Sequence, residues 1–462
     1  MTTEKQKAYL NNNAETKFSI GFRWNLYGST IFEALKIIHN AFLLYILSPV
    51  EFGKMGLIFS ITYATIYFSD FAATTALPPF INDMTESKNN FKKLFSFYFL
   101  PQIPLLVFAG LFLSLLYSKF FLNPIDPSFL FFISLLIFFE GIRIFFRAFL
   151  HYIFYSKQII ILETIFTCCY YIFVWTLYLF FHFKMSLNLI FFPFLLNAIC
   201  VNIVFFYLTF QYYKTLPNKE ANLKNGIYKR IIKNRFLAYP NQIIKNFFTG
   251  NFLIPIFAFR FGISQAGILK FSSLIADSAK AVIKAAISFS GNALLATTKS
   301  SPYKIKKNVF VMLSKKLNHL MYFVIIFLLF NYKNLLSLKI SLDHVAQSTI
   351  AFSFVFLLIV LTEHFFIVYE QFYILEEKPH KFLLFKLFEF LLFYLLVLSR
   401  PITTPIITLL SVVFIQIFSF TILSIHAYYK WKIKPIFKSR LLYILFDIFI
   451  ALFFSLVTSL LK

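Results

Sequence analysis

The sequence predicts an all-α integral membrane protein with two pseudo-symmetric six-helix lobes (12 transmembrane helices) and an extra C-terminal helix. Three observations support this fold class. Hydrophobic residues make up 59 % of the 462 residues and charged residues only 14 %, a composition that excludes a soluble domain. Twelve apolar runs before the carboxyl-terminal region are each long enough to cross a bilayer as a helix. The basic residues separate cleanly between the two sides of that arrangement.

The apolar runs divide the chain into two sets around a basic segment. After a polar tail at 1–17, the first lobe covers 18–210, with runs at about 18–47, 53–81, 94–117, 129–151, 159–182 and 187–210. A basic connector at 211–235 leads to the second lobe at 236–428, with runs at about 236–260, 266–296, 317–336, 345–374, 382–399 and 402–428. Residues 429–462 add a second basic connector and an apolar run at about 441–461, which either spans the membrane or packs at its edge.

Lysine and arginine orient these runs. If the amino terminus lies in the cytoplasm, 31 lysine and arginine residues lie in cytoplasmic loops and helix ends and 8 lie on the outer side. This distribution agrees with the positive-inside rule. We therefore expect a multi-pass protein of the inner (cytoplasmic) membrane. The net charge of +25 is carried mainly by lysine and arginine residues in the loops between helices. Because no basic soluble domain accompanies it, we expect no nucleic-acid partner.

The sequence offers no recognisable catalytic apparatus. It has no phosphate-binding glycine loop, nucleophile elbow or metal-ligand cluster, the patterns that mark the common soluble enzyme sites. The predicted outer loops are too short to hold a catalytic domain. We therefore expect neither an enzyme nor a metal site, and we look for function in polar groups within the membrane.

The run Gly267 to Ala296 carries four charges at membrane depth, and they share one helix face. Lys270, Asp277, Lys280 and Lys284 fall within a sector of about 80° on a helix. A central charge that faces lipid costs about 2.5 to 3.5 kcal/mol. An isolated segment of this kind could also lie on the membrane surface, but every later loop would then change sides. We therefore expect the run to span the membrane with its charges turned to protein or to a cavity.

A second polar stripe lies in the seventh predicted helix. Asn241, Gln242, Lys245 and Thr249 share a sector of about 100°, and they follow Pro240, which loosens a helix locally. This pattern favours a bending helix that lines a cavity. Hydrogen-bonded packing between helices is the alternative.

Several carboxylates at membrane depth are candidates for ion coupling. Glu33, Asp70 and Asp277 could each exchange a proton or a sodium ion, although Glu33 can also pair with Lys36 one turn away. Two further sets of charged residues favour structural roles. The first lies at the cytoplasmic end of the fourth helix and comprises Glu140, Arg143, Arg147 and His151. The second, Glu363 and Glu370, is expected to pair with a neighbouring helix.

A weak internal repeat relates the two lobes. At an offset of 214 residues, Leu47 to Ile61 overlies Phe261 to Ile275, with Gly53 matched to Gly267. Because each lobe has an even number of helices, such a repeat is parallel, and its axis lies along the membrane normal. The same offset places Asp70 over Lys284, and we expect these two to approach across a central cavity.

The start of the chain resembles a known family. The stretch LSPVEFGKMGLIFSI, then Ser69-Asp70-Phe71-Ala72 and Ala76-Leu77-Pro78, is similar to the first two helices of bacterial polysaccharide (O-antigen type) flippases. These belong to the multidrug/oligosaccharidyl-lipid/polysaccharide (MOP) exporter superfamily. The family pattern has glycine where this chain has Ala72. The twelve-helix arrangement extends the resemblance over both lobes.

The resemblance implies a function for the polar residues. It implies two lobes that open alternately to each face and move an oligosaccharide, linked to a polyprenyl pyrophosphate, from the inner to the outer leaflet. The pyrophosphate needs cations at membrane depth, and lysine binds phosphate well. Four lysines and two amides are then the expected cargo contacts: Lys280, Lys284, Lys245 and Lys270; Asn241 and Gln242. The stripe at the cytoplasmic end of the fourth helix, which contains Arg143 and Arg147, is expected to set the topology, and gathering of the head group at the cytoplasmic mouth is the alternative. A proton or sodium gradient would drive the cycle without another cofactor, and glycan-assembly proteins would be partners.

Other functions fit parts of the pattern. A drug or cation antiporter and a cell-wall lipid precursor flippase would share the fold, but cationic drugs favour a more acidic cavity. An integral-membrane enzyme of glycan assembly would need acidic residues at an outer loop, where this chain offers Glu51. A structural scaffold would not need so many charges at depth.

Overall fold

The computed structural model describes residues 3–120, 127–182, 186–219, 225–285, 290–297, 305–317, 367–399 and 404–431, with single positions at 223, 320, 323, 326, 355 and 359. All regular elements in these ranges are helical. The predicted run at 441–461, and most of the runs at 317–336 and 345–374, lie outside the described residues. Glu363 lies outside them as well.

The first lobe contains eight described helices and one 3₁₀ turn. The helices are α1 (Thr3–Ile46), α2 (Pro49–Ser69), α3 (Ile81–Thr85), α4 (Lys88–Phe99), α5 (Gln102–Phe120), α6 (Pro127–Tyr152), α7 (Ser156–Leu179) and α8 (Leu187–Thr215), with the turn at Pro78–Phe80 before α3. Helix α6 packs between α5 and α8, and α7 packs against α1 and α8. A buried cluster of large apolar side chains from these helices forms the core of the lobe.

The second lobe begins with α9 (Ile227–Phe247), α10 (Gly250–Phe261), α11 (Ile263–Lys284) and α12 (Ser290–Thr297). Helix α13 covers 305–317. It is followed by α14 (Ile367–Leu375), α15 (His380–Phe393) and α16 (Pro405–Trp431), and a π-helical turn at Tyr394–Leu398 extends α15. The apolar core of this lobe combines side chains of α9, α10, α11, α15 and α16.

Four described helical segments are long and apolar enough to cross a membrane. They are Phe18–Ile46, Lys88–Leu113, Ser156–Leu179 and Leu187–Thr215. Large apolar side chains are exposed along the helices, with Phe108, Phe131 and Phe206 each more than half exposed. Exposed apolar surface of this kind is what a lipid solvent requires. The chain is a multi-pass membrane protein, as its composition predicts.

Several predicted helices are shorter or broken in the structure. Helix α2 begins earlier than predicted because Ser48 and Glu51 form a capping box at its start, which satisfies free backbone N–H groups. It ends at Ser69, before the predicted end. The predicted run 94–117 divides at Leu100 and Pro101 into α4 and α5, since a proline interrupts helix hydrogen bonding. Helix α9 continues through Pro240 and ends at Phe247, so the break lies two turns after the proline.

Residues that the predicted repeat relates, 214 positions apart in the sequence, contact each other across the two lobes. A methyl group placed on Gly53 would lie 3.4 Å from Gly267 Cα, and one on Gly56 would meet Lys270. A third contact between the lobes joins α3 to α12, where Asn82 Nδ2 donates to Ala296 O at 2.8 Å. Each pair is 214 residues apart. Two residues related by a two-fold axis touch only where the axis passes between them. The pseudo-symmetry axis therefore follows the seam between α2 and α11.

The seam predicts a sharp size limit at Gly53. A methyl group there would approach the Ile263 carbonyl oxygen to 2.6 Å, and helices that pack this closely need small residues. We expect Gly53→Ala to lower the free energy of unfolding by about 1–3 kcal/mol, because the backbones must separate. Thermal unfolding in detergent measures this loss. Gly291→Ala is the control, since its methyl group would meet only the Leu313 side chain at 3.3 Å. Equal losses in both variants would contradict the seam.

Candidate functional site

A charged cavity lies between the two lobes. Its volume is about 180 Å³, and α1, α6 and α7 of the first lobe and α11 of the second supply its walls. Four ionisable side chains line it, together with small and hydroxyl-bearing residues: Glu33, Arg147, Glu163 and Lys284; Gly28, Ser29, Thr164, Ala281 and Ala285. The cavity therefore combines two carboxylates with one cation from each lobe.

Ion pairs organise the first-lobe wall of this cavity. Arg147 Nε lies 3.1 Å from Glu163 Oε2, which joins α6 to α7. On α1, Lys36 Nζ lies 3.1 Å from Glu33 Oε2. Glu33 and Glu163 are 7 % and 5 % exposed, and buried carboxylates need such partners to stay charged.

Asp277 and Lys270 lie further along the face of α11. Asp277 accepts a hydrogen bond from Ser273 Oγ at 3.0 Å, and its carboxylate lies against Gly250, the first residue of α10. The positive end of a helix dipole favours a carboxylate at that position. Lys36 of the first lobe and Lys270 both interact electrostatically with Asp277. This carboxylate therefore links charges of both lobes.

The polar stripe of α9 makes packing contacts in this structure. Asn241 Nδ2 donates to Pro379 O at 2.9 Å, and Lys245 Nζ donates to Glu370 Oε2 at 2.8 Å. Gln242 Nε2 donates to Tyr67 O and to Asp70 Oδ2. In this structure the three side chains therefore form hydrogen bonds between packed helices, which is the alternative to lining a cavity.

The same face of α9 holds the end of α2. Arg235 donates to the carbonyl oxygens of Phe71 and Asp70, and Tyr239 Oη donates to Phe68 O at 2.7 Å. The last carbonyls of a helix lack intrahelical partners and carry partial negative charge, so a cation there stabilises them. The second lobe thus caps a helix of the first.

Two residues after α2 adopt left-handed backbone conformations. Phe71 has φ 44° and Ala72 has φ 53°, a region that favours glycine because a Cβ atom is crowded there. Ala72 is fully buried. The glycine of the flippase pattern at this position therefore matches a conformational requirement of the turn.

The predicted site residues lie in different parts of the structure. Lys284 and Glu33 line the cavity, whereas Lys280, although half-buried on the same helix, is not among its lining residues. Asp70 binds Thr74 and Gln242, so the expected approach of Asp70 to Lys284 does not describe the neighbours seen here. Lys270, Asp277, Asn241 and Lys245 have the contacts given above.

The sequence places Arg147 at the cytoplasmic end of the fourth predicted helix, and it did not single out Glu163. The stripe that contains Arg147 is more buried than expected: Glu140 and His151 are 0 % and 1 % exposed, and Arg143 Nη2 lies 2.9 Å from Glu140 Oε2. A lone glutamate in the apolar run 159–182 was the signal that could have identified Glu163.

Comparison with solved structures identifies the architecture. An outward-facing multidrug resistance MATE family transporter of the MOP superfamily aligns with a TM-score of 0.60, at 10 % identity over 91 % of this chain and 96 % of that one. A MATE structure in complex with MaD5 gives a TM-score of 0.63, at 10 % identity over 92 % and 97 % of the two chains. The eukaryotic MATE transporter AtDTX14 gives 0.60, at 11 % identity over 96 % and 100 %.

The chain has the MATE transporter fold. This confirms the predicted all-helical, two-lobed architecture over nearly the whole chain. No protein-family model and no curated protein matches the sequence. At 10–11 % identity the likeness extends to the fold and not to the cargo, because one fold hosts many functions.

The contact between Lys245 and Glu370 predicts strong coupling between two variants. Glu370 is 6 % exposed, so Lys245→Met should lower the free energy of unfolding by about 3–5 kcal/mol by leaving a buried charge unpaired. Lys245→Met/Glu370→Gln should recover most of that loss. A thermal-unfolding double-mutant cycle in detergent measures the coupling. Additive losses would show that the pair is not stabilising.

The turn after α2 predicts losses of different size when glycine replaces two adjacent alanines. Ala72 and Ala73 are both fully buried, but only Ala72 has positive φ. Both glycine variants lose one methyl group, and Ala72→Gly also relieves about 1–2 kcal/mol of backbone strain. We therefore expect Ala72→Gly to retain more stability than Ala73→Gly in thermal unfolding. The reverse order would contradict the left-handed conformation of Ala72.

Proposed function

We propose that the protein is a flippase that moves a polyprenyl-pyrophosphate-linked oligosaccharide from the inner to the outer leaflet of the cytoplasmic membrane by alternating access. Its amino terminus lies in the cytoplasm in this proposal, as the basic residues predict. The observation that carries the proposal is the cavity between the lobes, where Arg147 of one lobe and Lys284 of the other line the same space.

The chemistry of the cavity suits a pyrophosphate. Arginine presents a planar set of donors that matches phosphate oxygens, and lysine adds a compact point charge. An anion bound to Arg147 and Lys284 together would draw the two lobes toward one another, so binding and closure are coupled. The lipid tail stays in the bilayer, while the head group crosses between the lobes. The remaining lysines of α11 and Lys245 would contact it in other states of the cycle.

The two carboxylates of the cavity favour a second candidate. Glu33 and Glu163 also line this space, and the solved structures of the same fold include a multidrug resistance transporter. A cation would bind between these carboxylates and leave when they are protonated. Drug or cation antiport is therefore the competing function, and a cell-wall lipid precursor with the same pyrophosphate is a competing cargo.

Transport in proteoliposomes tests the proposal. We expect the wild type to flip a fluorescent polyprenyl-pyrophosphate oligosaccharide and Lys284→Ala to flip it at least about tenfold more slowly, since a hydrogen bond to a charged group contributes about 1.5–3 kcal/mol. Lys229→Ala is the matched control, because this lysine is exposed at the start of α9. It should transport like the wild type.

The same vesicles distinguish the other candidates. Efflux of a fluorescent organic cation without lipid flipping would replace the flippase with an antiporter. Flipping of a cell-wall lipid precursor in preference to the oligosaccharide lipid would change the cargo and leave the mechanism intact. Flipping by Lys284→Ala at the wild-type rate would remove Lys284 from the site.

A further inference from the structure

One exposed side of α8 is apolar and ends in a lysine. Four large side chains on this side are 45 % exposed or more: Ile203, Phe206, Tyr207 and Phe210. Together with Lys214 they share a sector of about 100° on the helix. Helix α8 is long and apolar enough to cross a membrane. Lys214 Nζ lies 4.6 Å from the centre of the Phe210 ring, so a cation sits directly at the end of a lipid-facing surface.

Helix α4 brings two more lysines beside the end of α8. Lys88 N donates to Pro217 O at 3.1 Å, and Asn89 Nδ2 donates to Lys219 O at 3.4 Å. These bonds hold the first turn of α4 against the start of the basic connector. Lys88, Asn89 and Lys92 share a sector of about 100° on α4. Both lysines of α4 therefore lie on the side of the helix that meets the connector.

Aromatic rings join α4 to α8 at the same level. The centre of the Phe91 ring lies 5.6 Å from that of Tyr213, and Tyr213 stacks with Phe210 at 6.4 Å. Aromatic pairs at these separations stabilise packing. Phe91 directly precedes Lys92, and Phe210 contacts Lys214. The lysines of the two helices thus border one continuous surface of the first lobe.

This surface carries positive charge that no described carboxylate neutralises. Its lysines form no ion pair among the described residues. The described carboxylate closest to them in sequence is Glu86, and Asn90 Nδ2 donates to it. Three of the lysines are exposed and Lys88 is half-buried. We call the set the α4–α8 basic patch: Lys88, Lys92, Lys214 and Lys219.

We propose that the α4–α8 basic patch binds an anionic phospholipid of the cytoplasmic leaflet. The lysines contact the phosphate of the head group, and the acyl chains lie along the exposed side of α8 toward Phe206 and Ile203. The basic residues predict that this side of the protein is cytoplasmic, and clustered lysines there attract anionic lipids. An acidic protein would leave the apolar side of α8 uncovered. None of these residues lines the cavity between the lobes, so the site is independent of the proposed cargo.

Native mass spectrometry of the purified full chain tests this site. The probe is phosphatidylglycerol, and phosphatidylcholine with the same acyl chains is the reference without net charge. Each lysine near an anionic lipid contributes about a factor of five to binding, so two lysines contribute about 25-fold. We expect the wild type to prefer phosphatidylglycerol by at least this factor. Lys92→Gln/Lys214→Gln should lose about 25-fold in affinity for phosphatidylglycerol and bind phosphatidylcholine like the wild type.

The matched control is Lys229→Gln/Lys233→Gln. These two lysines are exposed on the first turns of α9, and Phe236 is exposed beside them. The control therefore removes two charges next to an apolar side chain but outside the patch, and it should bind phosphatidylglycerol like the wild type. Equal losses in both double variants would show diffuse attraction and overturn the site. Equal affinity of the wild type for both lipids would overturn the proposal and leave an acidic protein as the occupant of the patch.

Crosslinking of the wild type locates the acyl chains without any substitution. Phosphatidylglycerol with a photoreactive diazirine group in one acyl chain should label peptides of α8 that contain Phe206 and Phe210. Labelling confined to other helices would overturn the placement of the lipid on α8.

Discussion

The need to pair every charge at membrane depth governs this structure. An uncompensated charge in a low-dielectric interior costs several kcal/mol, and the charged residues of α1, α6, α7, α9 and α15 meet this requirement with neighbours. Lys36 pairs with Glu33, Arg147 with Glu163, Lys245 with Glu370, and Lys386 with Glu389. At α11, where the lobes meet, Lys284 of the second lobe lines the same cavity as Arg147 and Glu163 of the first. The proposed transport site lies at this place, where a cargo could exchange with the internal partners of these charges.

The seam between α2 and α11 joins the two lobes whose helices line this cavity. Small residues let the two helices approach closely, and contacts 214 residues apart, such as Asn82 with Ala296, follow the pseudo-two-fold axis. The second lobe also caps the end of α2 through Arg235 and Tyr239. These contacts join the lobes near both ends of α2, in two zones of inter-lobe packing. Alternating access would require each zone to separate in turn.

The sequence predicted the architecture better than the site. Hydropathy and charge distribution indicated helices and two lobes because the bilayer constrains every residue of a span. The breaks at Pro101 and Phe248 were missed, since apolar runs on both sides of a break look continuous. The helix period placed Asn241, Gln242 and Lys245 on one side of a helix, but it could not show that Pro379, Asp70 and Glu370 would be their partners. Glu163 escaped attention because one helix viewed alone does not reveal which cavity it reaches.

The central claim is that a pyrophosphate head group binds between Arg147 and Lys284. A cryo-electron microscopy map of the protein in nanodiscs, with a short-chain isoprenyl pyrophosphoryl sugar bound, tests it most directly. The account predicts head-group density in contact with both side chains, with the Glu163 carboxylate displaced from Arg147. Head-group density elsewhere, with the pair between Arg147 and Glu163 intact, would contradict it.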